Sequence, residues 1–316
     1  MPLTTASLVD DPSTVRSIDA MTMESTVSPG PQVTVMTEAG FADMRGEEGA
    51  RVVERNGRFW GQTFPGFYQP IHQIATFHAS EIKRPTWRCW GYRAALAVED
   101  ADTANGSIPV SLMSNVREFT EATFDRNRAR DLRRCRQEVE IRRVFDPDIF
   151  DREAWPVYLS AKERVDPGGR MDEADYRAMM TRRAPDPRRL IVGGFRDGKL
   201  AGYLESYAVD GILYGRDLYV ATEHMQTGIG TGLYLETILS GVRTPAIDQI
   251  CLGPILLDRP GLTAFKGTLG FSTVAVPASI AIPAPVGAFI RWQRPAVHYR
   301  LTGQSPRGMR RSTVHI

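Results

Sequence analysis

The clearest pattern along the chain lies between Leu190 and Val220. Three apolar runs, Leu190–Phe195, Leu200–Val209 and Ile212–Val220, are separated by Asp197-Gly198 and Asp210-Gly211. Asp-Gly between hydrophobic runs marks a type I′ hairpin, because both central residues of that turn need positive φ. The pattern therefore predicts an antiparallel three-strand meander. Its third strand ends at Val220 and runs into a polar turn, then into glycines at every second position, Gly228, Gly230 and Gly232. Leu235, Ile238, Leu239 and Val242 follow at helical spacing. Upstream, Glu138–Val144 alternates as a strand. Two helices follow, over 151–165 and 172–182, the second with Tyr176, Met179 and Met180 on one face; Pro156 implies that the first starts near Ala154 or kinks there. Downstream come a buried strand over 248–252, a short helix over 261–269 and a strand over 271–282. Pro277 within that strand implies an edge position or a bulge. The segment after it, up to Gly303, reads as a helical turn and a last strand.

The remaining segments divide the chain. Residues 1–50 are polar and small with little periodicity and read as a mobile leader, with Gln32–Met36 as a candidate strand. Residues 51–120 read as a small N-terminal region of short strands, rich in aromatics such as Trp60, Phe67, Tyr68 and Trp90 and interrupted by glycine and proline. These aromatics fit a small core better than a pocket lining. Residues 121–303 form the main domain, and 304–316 a basic tail. Glu118–Gln137 reads as one helix carrying Arg126, Arg128, Arg130, Arg133, Arg134 and Arg136. A solvated face is the plainer reading of that run; an anion-binding face is the other.

Composition narrows the class. At 316 residues, 42% hydrophobic and 24% charged, the chain can bury a sizeable core. A net charge of +2 selects no partner. Cys89, Cys135 and Cys251 are distant and odd in number, so neither a disulfide framework nor a zinc spacing follows. The scattered histidines suggest no metal. No run reaches the roughly 18 apolar residues of a membrane span, and the start lacks a signal-peptide pattern. A cytoplasmic location is the expectation.

Strand, glycine loop and helix together present free N–H groups and a positive dipole end to an anion. The P-loop is excluded, since Gly232 is followed by Leu233 and Tyr234 rather than Lys-Ser/Thr. The dinucleotide fingerprint is excluded too, because Gly232 stands only two residues after Gly230.

The order of elements, from the strand at 138 to the strand ending at 282, resembles the GNAT N-acetyltransferase superfamily. The stretch LYVATEHMQTGIGTGL is similar to its cofactor motif, a strand ending in valine followed by an acidic residue and R/Q-x-x-G-x-G/A. Glu223, Gly228, Ile229 and Gly230 fall in place; Met225 takes the Arg/Gln position, with Gln226 one residue late. The stretch AFKGTLGF resembles the closing aliphatic-Tyr-x-x-x-Gly-Phe, with Lys266 in place of the tyrosine that in many members protonates the departing thiolate. Phe265-Lys266 with Gly270, Gly253 after the preceding strand, and NRARDLRRCRQEVEIR resemble more narrowly the Fem-type and CelD-like branch. GNAT folds occur there singly or in tandem, and members acylate amines from acyl-CoA or aminoacyl-tRNA.

The resemblance implies an α/β (α+β) fold, a mainly antiparallel GNAT-like sheet flanked by helices, with a small N-terminal extension that is a candidate degenerate half-unit. It implies an acyl-CoA-dependent N-acyltransferase, with acetyl-CoA or another acyl-CoA as cosubstrate, no metal, and a small-molecule or sugar amine as partner. The phosphate clamp would be Gly228, Ile229, Gly230, Thr231 and Gly232, with Met225 and Gln226 beside it and a backbone N–H near Tyr219 or Val220 facing the carbonyl oxygen. Candidate bases are Glu205, Tyr214 and Asp217, and Lys266 is a candidate for phosphate neutralisation or thiolate protonation. Adjacent strand residues face opposite sides, so Arg216 and Asp217 should not pair. Two alternatives stand beside this: a Fem-type transferase using aminoacyl-tRNA, with the arginine helix on the RNA, and a catalytically silent GNAT-like binding module.

Overall fold

Both Asp-Gly joints are formed as their chemistry dictates. Asp197 and Asp210 adopt φ of 51° and 44°, followed by Gly198 and Gly211 at 75° and 83°. They link β9 (Arg189–Arg196), β10 (Lys199–Val209) and β11 (Ile212–Val220) into the expected meander. The computed structural model describes residues 30–304. In chain order the other strands are β1 (Val35–Met36), β2 (Val52–Arg55), β3 (Arg58–Phe64), β4 (Phe67–Pro70), β5 (Thr76–Phe77), β6 (Gly91–Leu96), β7 (Gly106–Met113), β8 (Glu140–Arg143), β12 (Gln249–Pro254) and β13 (Ser272–Ala281). The α-helices are α1 (Glu38–Glu47), α2 (Arg126–Glu138), α3 (Pro147–Ile149), α4 (Trp155–Val165), α5 (Glu173–Arg183), α6 (Ile229–Val242), α7 (Pro260–Gly267), α8 (Ala284–Gln293) and α9 (Pro295–Thr302).

One sheet runs in the order β2-β3-β4-β6-β13-β7-β12-β11-β10-β9-β8, with β1 and β5 paired to β10 and β6 off this path. Its pairs are antiparallel apart from β1–β10, β4–β6, β5–β6 and β11–β12. The sheet continues across residue 120: β7 pairs with both β12 and β13, so strands from either side of that division lie side by side. Alternation along β9 splits the core. Leu190 and Val192 face α6 and α2 with Ile229 and Leu233, while Ile191 faces α4 and α5 with Val157, Tyr176 and Met180.

Four expectations are corrected. Residues 33–50 are not a loose leader: Thr37 caps α1 by accepting from the Gly40 N–H at 3.1 Å, and Phe41 and Met44 are buried. Residues 1–29 and the tail from 305 lie outside the described residues. The arginine helix starts only at Arg126, because Asp125 accepts from the Arg128 N–H and caps it there. The helix with Pro156, by contrast, starts where expected: Ala154 is the N-cap of α4, after a π-turn over Phe150–Ala154, and Pro156 occupies its first turn. The strand with Pro277 is interior to the sheet. Pro277 is tolerated because pairing with β6 begins only at Ala278, so Ser272–Pro277 pair with β7 alone. The predicted last strand is instead α8 and α9, Pro285 and Pro295 each occupying a first turn.

Candidate functional site

β11 and β12 run parallel for only three residue pairs, Ile212–Tyr214 with Gln249–Cys251. Beyond them the strands part, and among the described residues no strand pairs with 215–220 on that side. Two adjoining clefts fill the opening. The first, about 440 Å³, is lined by Gly228, Gly230, Thr231, Met225 and Arg128. The second, about 480 Å³, is lined by Asp217, Arg216, Tyr219, Leu252, Arg259 and Lys266. Leu218, Met225, Arg164 and Leu262 belong to both, so the two form one groove.

The three glycines of the loop have different reasons to be glycine. Gly228 adopts φ 76° and ends the turn before α6; a Cβ there would overlap the Asp131 carbonyl of α2. At Gly232 a Cβ would overlap Cys135 Sγ of the same helix. Those two let α2 lie against the loop. Gly230 has ordinary helical backbone, and a Cβ there would meet no atom of the described residues within 4 Å. Glycine in a helix costs roughly 0.5–1 kcal/mol relative to alanine, and packing offers no compensation here. Its missing side chain leaves open space on the cleft wall.

Around Gly230 the donors are partly used. The Ile229 N–H donates to Thr227 Oγ1 at 3.3 Å, while Thr231 and Gly232 turn back to the Gly228 carbonyl at 3.0 and 3.2 Å. Ile229 is buried and anchors α6 to the sheet. Met225 is half exposed, and the Gln226 carbonyl accepts from Arg134 Nη1 at 2.6 Å. The positive charge in this cleft comes from elsewhere. Arg128 donates to Thr231 Oγ1 at 3.2 Å, pairs with Asp131 at 3.0 Å, and lies over the Phe265 ring. Arg164 donates to Thr222 Oγ1 and to the Val220 carbonyl. The Ala221 N–H donates to Ala201 in β10. By strand alternation the Val220 N–H and carbonyl face the groove and those of Tyr219 face β10.

The candidate bases separate. Glu205 is buried and enclosed by guanidiniums: Arg183 Nη1 donates to it at 3.1 Å, and Arg189 pairs with it closely. Tyr214 is buried against Phe41 and Met44, accepts from the Ile74 N–H at 3.4 Å, and does not line the groove. Asp217 does line it. The expectation that Arg216 and Asp217 face apart is corrected by a β-bulge. Glu205 lies opposite Asp217 and Ser206 opposite Gly215, so Arg216 is an extra residue. A bulge turns consecutive side chains to one side, and Arg216 Nε meets Asp217 Oδ2 at 3.2 Å. Burial pushes the Asp217 carboxyl up from its ordinary value; Arg216 opposes this and the facing Glu205 reinforces it.

Lys266 is buried at the end of the groove, its Nζ donating to the Leu252 carbonyl at 2.6 Å. Burial lowers its pKa. Tyr219 joins Tyr158, Tyr176 and Tyr203 in an aromatic wall behind Asp217. Sequence reading missed Arg164, Arg259 and Glu48 altogether, and it counted Arg128 as part of a solvated face. Glu48, at the end of α1, pairs with Arg183 at 2.7 Å and Arg189 at 2.6 Å and lies 3.8 Å from Arg216. Burial raises its carboxyl, but these guanidiniums outweigh that and hold it below the ordinary carboxylate range.

No protein-family profile matches the chain, and no curated protein is similar to it in sequence. Solved structures are similar in fold. FemX superposes with a TM-score of 0.56 at 9% identity, over 83% of this chain and 95% of that one. A structure described as the C-terminal domain of a lysylphosphatidylglycerol synthetase from Agrobacterium fabrum gives 0.53 at 13% identity, over 80% and 90%. A conserved protein of unknown function from Bacteroides thetaiotaomicron gives 0.51 at 11%, over 78% and 90%. At such identities the likeness is one of fold: a mixed, mainly antiparallel sheet flanked by helices, as in these three structures. Among the described residues no helix is long and apolar enough to cross a membrane.

Proposed function

We propose that this chain is an N-acyltransferase that takes its acyl group from an acyl-CoA, acetyl-CoA being the simplest donor. The observation that carries the reading is Gly230, a helical glycine with no packing reason, at a helix N-terminus that opens into the groove. Bare backbone there lets a phosphate approach the N–H groups and the positive dipole end. Arg128 supplies the charge that Met225 lacks.

The thioester would lie along the open edge of β11, its carbonyl oxygen toward the Val220 N–H. Asp217 takes the proton from the incoming ammonium, a task suited to a carboxylate raised above its ordinary value. The amine nitrogen bonds to the acyl carbon, the C–S bond breaks, and the thiolate leaves toward Lys266, which can return a proton. Glu205 and Tyr214 have no part in this scheme; Glu205 acts through the ion pairs that hold Arg183 and Arg189.

Calorimetric titration with acetyl-CoA tests the reading: saturable binding supports it, and no binding at millimolar ligand sinks it. A second reading, transfer from an aminoacyl-tRNA, is favoured by one observation. Arg126, Arg130 and Arg133 are exposed along one face of α2, beside the loop. Filter binding of tRNA at two salt concentrations tests it, since phosphate contacts weaken steeply with salt.

A further inference from the structure

The second cleft has an unusual charge balance. Lys162 and Asp166 sit 3.3 Å apart and cancel. Arg216 is matched by Asp217 at 3.2 Å, with Glu48 3.8 Å away. The other three cations meet only uncharged oxygens among the described residues. Arg164 donates to Thr222 and to the Val220 carbonyl, Arg259 to the Val165 carbonyl at 3.3 Å, and Lys266 to the Leu252 carbonyl. The Nη1 of Arg216 is buried and faces Glu48, so it does not serve the groove. Cations held by neutral oxygens around a groove gain most from an anion that enters it.

We propose that the second cleft binds an acceptor amine that also carries an anionic group, a carboxylate or a phosphate, received by Arg259. The inference deepens the acyltransferase reading and rests on it for the word acceptor. Arg164 borders both clefts and adds to the field from the donor side. Arg259 stands at the N-cap of α7, so the dipole of that helix adds to its charge. The anion holds the amine beside Asp217 without consuming the carboxylate that takes its proton.

The test uses two matched probe pairs on the full chain by calorimetry: glycylglycine against glycylglycinamide, and phosphoethanolamine against ethanolamine. The anionic member of at least one pair should bind about tenfold more tightly than its neutral partner, the worth of one charge-assisted hydrogen bond. That ratio should shrink at high salt. The pair with the larger ratio identifies the anion. Arg259→Gln should bring the ratio close to one, and Arg259→Lys, which keeps charge but loses the planar fork, should leave an intermediate value. Equal binding within both pairs, no probe binding at millimolar concentration, or an unchanged ratio in a folded Arg259→Gln variant would each overturn the proposal. Acetyl-CoA titrated in parallel separates the two claims. Discrimination without donor binding defeats the acyltransferase reading alone, and donor binding without discrimination defeats only the anionic acceptor.

Discussion

Replacing Gly230 by alanine should strengthen the fold and weaken the ligand site. Alanine is favoured over glycine within a helix by roughly 0.5–1 kcal/mol, and this position in the first turn belongs at the lower end. No steric cost offsets that gain, because the new methyl would meet no atom of the described residues within 4 Å. For a chain of this size the expected rise in Tm is about 1–3 °C. The same methyl stands where a phosphate would approach the helix N-terminus. Losing one charge-assisted hydrogen bond, roughly 1.5–3 kcal/mol, weakens acetyl-CoA about 10- to 100-fold. The neighbouring glycines supply the control. Gly232→Ala drives a methyl into Cys135 Sγ, and Gly228→Ala strains a residue at φ 76° against the Asp131 carbonyl. Both should lower Tm. Thermal melts and calorimetry on the three variants read both effects. A Gly230→Ala protein that is more stable and binds acetyl-CoA unchanged would refute the reasoning that this glycine exists for a ligand.

Asp217→Asn should abolish most acyl transfer while leaving donor affinity intact, read by steady-state rates and calorimetry. The wild-type rate should rise with pH through an acid limb above the ordinary aspartate value of 3.8, because burial raises Asp217. Arg216→Gln removes the cation that opposes that rise, so the limb should move to still higher pH; a limb that stays put excludes Asp217 as the base. Glu205→Gln leaves Arg183 and Arg189 facing an uncharged amide and should destabilise the fold by about 3–5 kcal/mol in urea titrations. Burial, the largest cause, lowers His72 from 6.5 to about 4, so its neutral form is favoured in the folded chain. That stability, at most roughly 3 kcal/mol, is complete above pH 6.5 and is lost as pH falls toward about 4. His72→Phe should flatten the stability–pH curve in that window, and an unchanged slope would assign it to other groups.

The meander and the loop were legible because their signals are local: two Asp-Gly steps, alternating glycines and a helical apolar stripe. The first helix was not. Gly40 and Gly46 within α1 break its pattern, and only Thr37 marks its start. The bulge at Arg216 leaves no trace in composition, since it is defined by register with β10, and that register decides which way Arg216 faces. The C-terminal helices were misread because Pro285 and Pro295 look like breakers when they are starters. At the site, sequence motifs pointed to the loop before α6, whereas Arg128, Arg164, Arg259 and Glu48 come from four other segments. Their roles depend on distances that no spacing encodes. Glu205 shows the opposite failure: a carboxylate in an apolar strand drew attention as a base, and its partners Arg183 and Arg189 turn it into part of the scaffold.

The position of β13 bears on how the chain is made. It inserts between β6 and β7, with Val274 opposite Val110 and Ser279 opposite Ala94, so a strand made long after both of them completes the middle of the sheet. Until it arrives, β6 and β7 each present an unpaired edge, the kind of surface that invites pairing with another chain. Pairings this distant in sequence close slowly. On the ribosome, the aromatic hairpins made first must therefore wait until β13 has emerged before their sheet can close, and a chain cut before residue 272 would leave a gap in the sheet rather than a smaller domain.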